Sequence, residues 1–252
     1  GKPGFINKVD IDTSYFSGNH PKYISLEACS ISGKLPNKKT NWKTIIKKSP
    51  TKANSHHLFN IKNKNFFTHV KLNIFPDGGV ARLRVYGSMK VKKKLSKGTQ
   101  NLTSIINGSV PIACNNEHFG RAENILAPGV GKNMGDGWET RRSRGKNFDW
   151  IIIKCSTAGK IDRIQIDTHH FKGNYPDKCS IQATYIDNKL SSKNIVKKSK
   201  RWKLLLNKTK LYAHKKHNFK NKIMRNKKIN YIRINIFPDG GISRVRIFGK
   251  TE

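Results

Sequence analysis

Apolar and polar residues alternate along Val70-Lys71-Leu72-Asn73-Ile74-Phe75 and again along Ile232-Arg233-Ile234-Asn235-Ile236-Phe237. A period of two marks a strand with one face in a core and the other toward water. Arg82-Leu83-Arg84-Val85-Tyr86 and Arg244-Val245-Arg246-Ile247-Phe248 alternate likewise. Between the members of each pair stands Pro-Asp-Gly-Gly, at 76–79 and 238–241. That composition suits a tight turn with a glycine at positive φ. Val9–Asp12 and Ile164–Asp167 predict a further matched pair of strands, and Trp150-Ile151-Ile152-Ile153-Lys154 predicts a buried one.

These pairs are copies. Asn-Ile-Phe-Pro-Asp-Gly-Gly occurs at 73–79 and at 235–241, and Asp12-Thr13-x-x-Phe16-x-Gly18-Asn19 matches Asp167-Thr168-x-x-Phe171-x-Gly173-Asn174. The offset between copies is 155 at the first motif and 162 at the second, so seven residues are inserted in the middle of the second copy. Each unit is domain-sized rather than a solenoid repeat. Many short strands separated by turn signals predict an all-β chain of two tandem antiparallel β-sandwiches. The expected boundaries are residues 1–89 for the first repeat, 90–110 for a basic linker and 111–252 for the second repeat.

Composition adjusts this picture in two places. Hydrophobic residues make up 35% of the 252, and lysine and asparagine fill the deficit, as drift laid over an ordinary fold would leave it. The formal charge of +36 raises nucleic acid as a partner, yet no zinc knuckle, helix-turn-helix or aromatic RNA-binding signature accompanies it. Non-specific adhesion to polyanions at low salt is therefore expected, and no specific nucleic acid. The basic runs 197–203 and 214–228 are expected to be solvated loops. Cys29, Cys114, Cys155 and Cys179 fall at unmatched repeat positions, which predicts reduced thiols and a cytoplasmic protein rather than a duplicated disulfide. No apolar run approaches the length of a membrane helix, so no membrane partner is expected.

The chemistry lies in a block of the second repeat with no counterpart in the first. Glu117, Glu123, Asp136 and Glu139, four of the chain's 15 acidic residues, fall between 116 and 145 with Arg121, Arg141, Arg142 and Arg144. On chemistry alone this is either a salt-bridged interdomain loop or a site that holds an anionic substrate while moving protons. A sandwich that only binds polyanions is the rival to an enzyme.

Gly135-Asp136-Gly137-Trp138-Glu139-Thr140-Arg141-Arg142-Ser143-Arg144, then Asp149-Trp150, Asp167-Thr168-His169-His170-Phe171-Lys172-Gly173-Asn174 and the paired Pro-Asp-Gly-Gly turns, resemble the allantoicase (allantoate amidinohydrolase) family over nearly the whole chain. The resemblance implies sandwiches of the jelly-roll, galactose-binding-like type. It also implies hydrolysis of allantoate to ureidoglycolate and urea in purine (allantoin) degradation. The family's first repeat opens with its own Asp-Gly-Trp-Glu block, absent here, so module one is expected to lack its N-terminal strands and to show fewer strands than module two. Open edges of that kind favour association, which leaves a homo-oligomer open.

For this reaction, proton transfer is expected from Glu139 and Glu117, with His118, His169 or His170 as alternates. Substrate contacts are expected from Arg141, Arg142 and Arg144, whose planar forks match a carboxylate, and from Asp136 and Asn174. No metal or other cofactor is expected, because the adjacent pair His169-His170 matches no zinc template. Trp138 and Trp150 are expected in the core, and Asp77 and Asp239 as turn formers.

Overall fold

The computed structural model describes residues 3–31, 35–89, 98–143, 147–188 and 190–251. The chain divides into two compact units, Gly1–Val91 and Lys92–Glu252. Of the stretch 90–110 expected as a linker, 90–97 lies outside the described residues. The rest is built into the second unit, because Leu102 and Thr103 are fully buried there and cannot serve as a solvated tether.

Unit 1 contains β1 (Gly4–Asp12), β2 (Tyr23–Cys29), β3 (Lys43–Pro50), β4 (His56–Asn60), β5 (Phe66–Phe67), β6 (His69–Phe75) and β7 (Arg82–Met89). β1 pairs with β4, β5 and β7, and β2 lies between β3 and β6 in a second sheet, every pairing antiparallel. The alternating positions Ile24, Leu26 and Ala28 of β2 face Val9 and Ile11 of β1, forming a small core.

Unit 2 repeats this plan and enlarges it. Its strands are β8 (Thr99–Asn101), β9 (Val110–Cys114), β10 (Trp138–Glu139), β11 (Asp149–Asp167), β12 (Lys178–Thr184), β13 (Lys203–Lys210), β14 (Lys216–Phe219), β15 (Ile229–Phe237), β16 (Gly241–Ile242) and β17 (Arg244–Lys250). β11 serves both layers. Residues 149–154 run between β15 and β9, whereas residues 160–167 run between β17 and β14. The second half of β11 is the counterpart of β1, and β12, β13, β14, β15 and β17 are those of β2, β3, β4, β6 and β7. The described residues hold seven strands in unit 1 and ten in unit 2.

The repeat matches fall at equivalent places in the two units. Asp12 lies opposite Arg82 and Asp167 opposite Arg244. The Phe75–Pro76 and Phe237–Pro238 bonds are both cis, and Gly78 and Gly240 follow at φ 124° and 128°. Left-handed residues also recur, at Tyr15 and His170 and at Asn54 and His214.

Two regions depart from the sequence reading. β15 is buried on both faces. Ile232, Ile234 and Ile236 enter the core, while Arg233 and Asn235 are only 4% exposed on the other side. There α1 (Ser192–Ser199), Trp202 and Trp150 cover them. Arg233 stacks 4.5 Å from the Trp150 ring and donates to Ser199 Oγ at 2.7 Å. The basic run 197–203 is accordingly the end of α1 and the start of β13, not a loop. Buried Ile195, Ser199 and Trp202 carry a stripe that the intervening lysines hide. Within 214–228, residues 216–219 form β14. Among the described residues no helix is long and apolar enough to cross a membrane.

Unit 1 carries a charged cluster that unit 2 replaces. Arg84 Nη1 donates to Asp10 Oδ2 at 3.1 Å and to Asp12 Oδ2 at 3.0 Å, with His56 Nδ1 3.0 Å from Asp10. Hydrogen bonds from Ser14, then the Arg84 guanidinium, hold the Asp12 carboxyl well below its ordinary range. A depressed folded pKa contributes stability that is present above the unfolded value of about 4 and lost as pH falls further. Thermal melts should therefore show acid destabilisation beginning near pH 4, and Arg84→Gln should lessen it. Unchanged acid sensitivity in that variant would remove Arg84 from the account.

Candidate functional site

Phe171 organises the site. Its ring is fully buried and packs against two glycines: a Cβ at Gly241 would sit 1.9 Å from Phe171 Cε1, and one at Gly137 2.8 Å from Cε2. No residue but glycine fits either position without displacing the ring. Gly241 begins β16, whose pairing Glu139↔Gly241 and Trp138↔Ile242 holds β10. Trp138 is fully buried and its indole Nε1 donates to Asn116 O at 2.7 Å, so it is core, as expected.

Glu139 is fixed by its own backbone on both sides. Its N–H donates to Gly120 O at 3.2 Å, and its carbonyl accepts from Phe119 N and Gly120 N. Past Phe171, the chain turns through Gly173 and returns Asn174, whose carbonyl accepts from Gly241 N at 2.7 Å. Asn174 Nδ2 then donates to Glu139 Oε1 in a short contact. Among the described residues nothing engages Glu139 Oε2, which leaves one oxygen for a ligand.

The opposite wall is the segment Thr140–Ser143. Thr140 N donates to Gly240 O at 3.2 Å, and Gly240 N donates back to Thr140 Oγ1 at 3.0 Å. Asp239 Oδ2 accepts from Ser143 N at 2.6 Å, so this aspartate ties the neighbouring segment down rather than simply closing its own turn. Between the walls lies a half-open cavity of about 530 Å³, to whose lining Glu139, Arg142, Asn174, Tyr175, Asp177 and Asp239 contribute. That size is ordinary for a small-molecule site. Asp177 carries Lys210 and Lys178, the first in a short contact, and Lys210 holds its carboxyl below the usual range.

The sequence-nominated residues separate into groups. Glu139, Arg142 and Asn174 share the cavity. Arg141 is exposed and does not line it. Its backbone N–H donates to Asn116 Oδ1. Arg144 lies outside the described residues. Glu117 Oε2 accepts from Ala122 N at 3.0 Å, and Asp136 Oδ2 from Lys132 N at 2.7 Å; both carboxylates shape local loops. His169 and His170 form a ring cluster with His214 and do not line the cavity. His170 Nε2 donates to Gly131 O at 2.8 Å.

Tyr175 and Asp177 were missed, although a signal existed: Asn174-Tyr175-Pro176-Asp177 replaces Asn19-His20-Pro21-Lys22 of the first repeat. The cysteines offer no nucleophile. All four are unpaired, and burial pushes the Cys155 and Cys179 thiols up to about 12 and Cys114 to about 11.

Comparison with known proteins decides what this scaffold is. The family model described as allantoicase repeat matches residues 1–90 and 100–252. The probable allantoicase of Pseudomonas fluorescens (strain SBW25) is 47% identical over 255 residues, covering 100% of this chain and 76% of that protein. The chain belongs to the allantoicase family. A probable allantoicase of Acinetobacter baumannii (strain AYE) is 45% identical over 99% of this chain and 74% of its own length. The crystal structure of allantoicase from Saccharomyces cerevisiae superposes with a TM-score of 0.79 at 32% identity, covering 98% of this chain and 74% of that one. The chain thus spans about three quarters of the allantoicases it matches, and the tandem sandwich is a family architecture.

Proposed function

We infer that this chain is a hydrolase that converts allantoate and water to ureidoglycolate and urea, in the degradation of purines. Family membership over the whole chain supports the reaction. The observation that carries the site is the convergence of Glu139, Asn174 and Arg142 on one cavity of the second unit.

Allantoate carries a carboxylate and two ureido groups on one carbon. Release of urea breaks one carbon–nitrogen bond, adds a proton to the departing nitrogen and adds the oxygen of water to the carbon. Arg142 anchors the substrate carboxylate through its planar fork. Glu139 supplies the proton to the departing ureido nitrogen and takes one from the incoming water. Asn174 holds Glu139 by one oxygen, so the other points consistently at the reacting carbon. Asp239, through Ser143 N, keeps the Arg142 segment against the cavity. Cytoplasmic residence belongs to the same reading, supported by four unpaired cysteines.

Urea release from allantoate by the full 252-residue chain tests the reaction. Arg142→Lys retains charge but loses the bidentate fork, and is expected to raise KM about tenfold with a smaller change in kcat. Unchanged KM would place the carboxylate elsewhere. Steep salt-dependent binding to heparin with no urea release would favour the polyanion-binding module instead.

A further inference from the structure

His169, His170 and His214 cluster beside the site without entering it, and the duplication supplies a control for what they do. In each unit a left-handed residue after the Asp-Thr motif donates its backbone N–H to a side chain on the facing turn. In unit 1, Tyr15 N donates to Asn54 Oδ1 at 3.0 Å, with φ 69° and 46° at the two residues. In unit 2, His170 N donates to His214 Nδ1 at 2.9 Å, with φ 72° and 47°. The geometry is the same, but the second acceptor titrates and the first does not.

The second copy also acquires a connection that the first lacks. His170 Nε2 donates to the carbonyl of Gly131, at the start of the loop that ends in Trp138-Glu139. Gly131 is buried against Ser243 and Arg244, where a Cβ would meet Ser243 Oγ at 2.6 Å. Farther along the same loop, Arg244 Nη1 donates to Asp136 O at 2.6 Å, and Asn124 Nδ2 donates to Gly135 O and Gly137 O. The far end is therefore tied by groups that do not titrate near neutrality; at the near end Arg246 Nη2 donates to Gly129 O and Lys132 N to Asp136 Oδ2, and the tie at Gly131 itself runs through His170.

We propose that His214 and His170 are positioning residues for Glu139, and that protonation of His214 releases the near end of the 131–139 loop. This rests on the hydrolase reading for its consequence, not for its geometry. As an acceptor, His214 Nδ1 must be unprotonated; once protonated it presents N–H to N–H, and the bond to His170 is lost. The groups facing His214 across the turn are His169, His170, Lys172 and Asp167, with Tyr212, Lys215 and His217 on its own segment. The His169 ring stacks 3.9 Å from it, an arrangement that two cations would not keep. Desolvation first, then His169, Lys172 and His170, lowers the His214 pKa, against which Asp167 acts alone. With the folded value depressed, the neutral, bonded form prevails at neutrality and is lost as pH falls through that value.

The test borrows the first repeat's residue. His214→Asn keeps an acceptor at the same left-handed position and cannot titrate. Hydrogen exchange of amides 131–137, corrected for intrinsic pH dependence, should lose protection in the wild-type chain as pH falls from about 7.5 to about 4.5, but not in H214N. His170→Phe, which removes the Nε2 donor, should show the loosened loop at both. In parallel, H214N should match wild-type kcat/KM at about pH 7.5 and exceed it about threefold or more at about pH 4.5. Parallel loss of protection in wild type and H214N, or no loss in either, overturns the proposal. Absence of urea release at every pH, with the exchange difference intact, overturns the hydrolase reading and leaves the positioning role standing.

Discussion

Glu139→Gln abolishes urea release, by about 10²- to 10⁴-fold, while the melting temperature stays close to wild type. The variant isolates chemistry from structure because glutamine keeps the volume of the side chain and an amide oxygen that still accepts from Asn174 Nδ2. Nothing in the backbone anchoring of residue 139 depends on its side chain, since the bonds to Phe119 and Gly120 are main-chain. What the substitution removes is a group able to give and take a proton beside the substrate. Steady-state urea release and a thermal melt on the same preparation decide it. Retained turnover with a marked loss of stability would make Glu139 a structural partner of Asn174 and move the chemistry away from this cavity. Asn174→Ala should fall between, because it leaves the carboxylate in place but frees its rotamers.

The strands around the site were legible because alternation is a direct projection of burial onto sequence. Val9, Ile11, Ile24 and Leu26 of unit 1, and their counterparts in unit 2, are buried where the period of two places them. The duplication was legible for a different reason. The turn glycines and the Asp-Thr motif serve backbone geometry, and geometry tolerates little drift. Burial of Arg233 was not legible, because its cover comes from α1 and Trp202, well away in sequence, and lysines mask the helix stripe. Copy difference nominated Glu139 and Arg142 together with Glu117, Asp136 and Arg141, which share the same acidic and basic chemistry, and could not say which of them line one cavity. Only pairing distinguishes them. Two of those carboxylates face backbone N–H groups of their own loops, and Arg141 lies outside the cavity. His170 was drawn in as an acid–base group by residue type, whereas its Nε2 bonds Gly131 O and its side chain does not line the cavity.

Phe171→Ala carries the largest structural effect, and its twin in the first repeat calibrates it. Both Phe16 and Phe171 lie over the second glycine of their Pro-Asp-Gly-Gly turn, with a Cβ at Gly79 or Gly241 falling 1.9 Å from the ring Cε1. Phe16 is only half-buried, whereas Phe171 is fully buried and has a second plate in Gly137. Truncating Phe171 should cost about 3–5 kcal/mol, the range for a buried phenylalanine replaced by alanine. Truncating Phe16 should cost about half of that or less, since water already reaches part of its ring. Function should separate the two more sharply than stability. The Phe171 ring keys Gly137-Trp138-Glu139 on one side and Gly241, which binds the Asn174 carbonyl, on the other. Its loss should abolish urea release even at temperatures where the variant remains folded, while Phe16→Ala keeps near wild-type turnover. Equal stability costs would mean that the Gly137 plate adds nothing to the packing. Retained turnover in F171A would mean that Glu139 and Asn174 are aligned by the β10–β16 pairing alone, and that the aromatic ring common to both repeats holds the turn without holding the site.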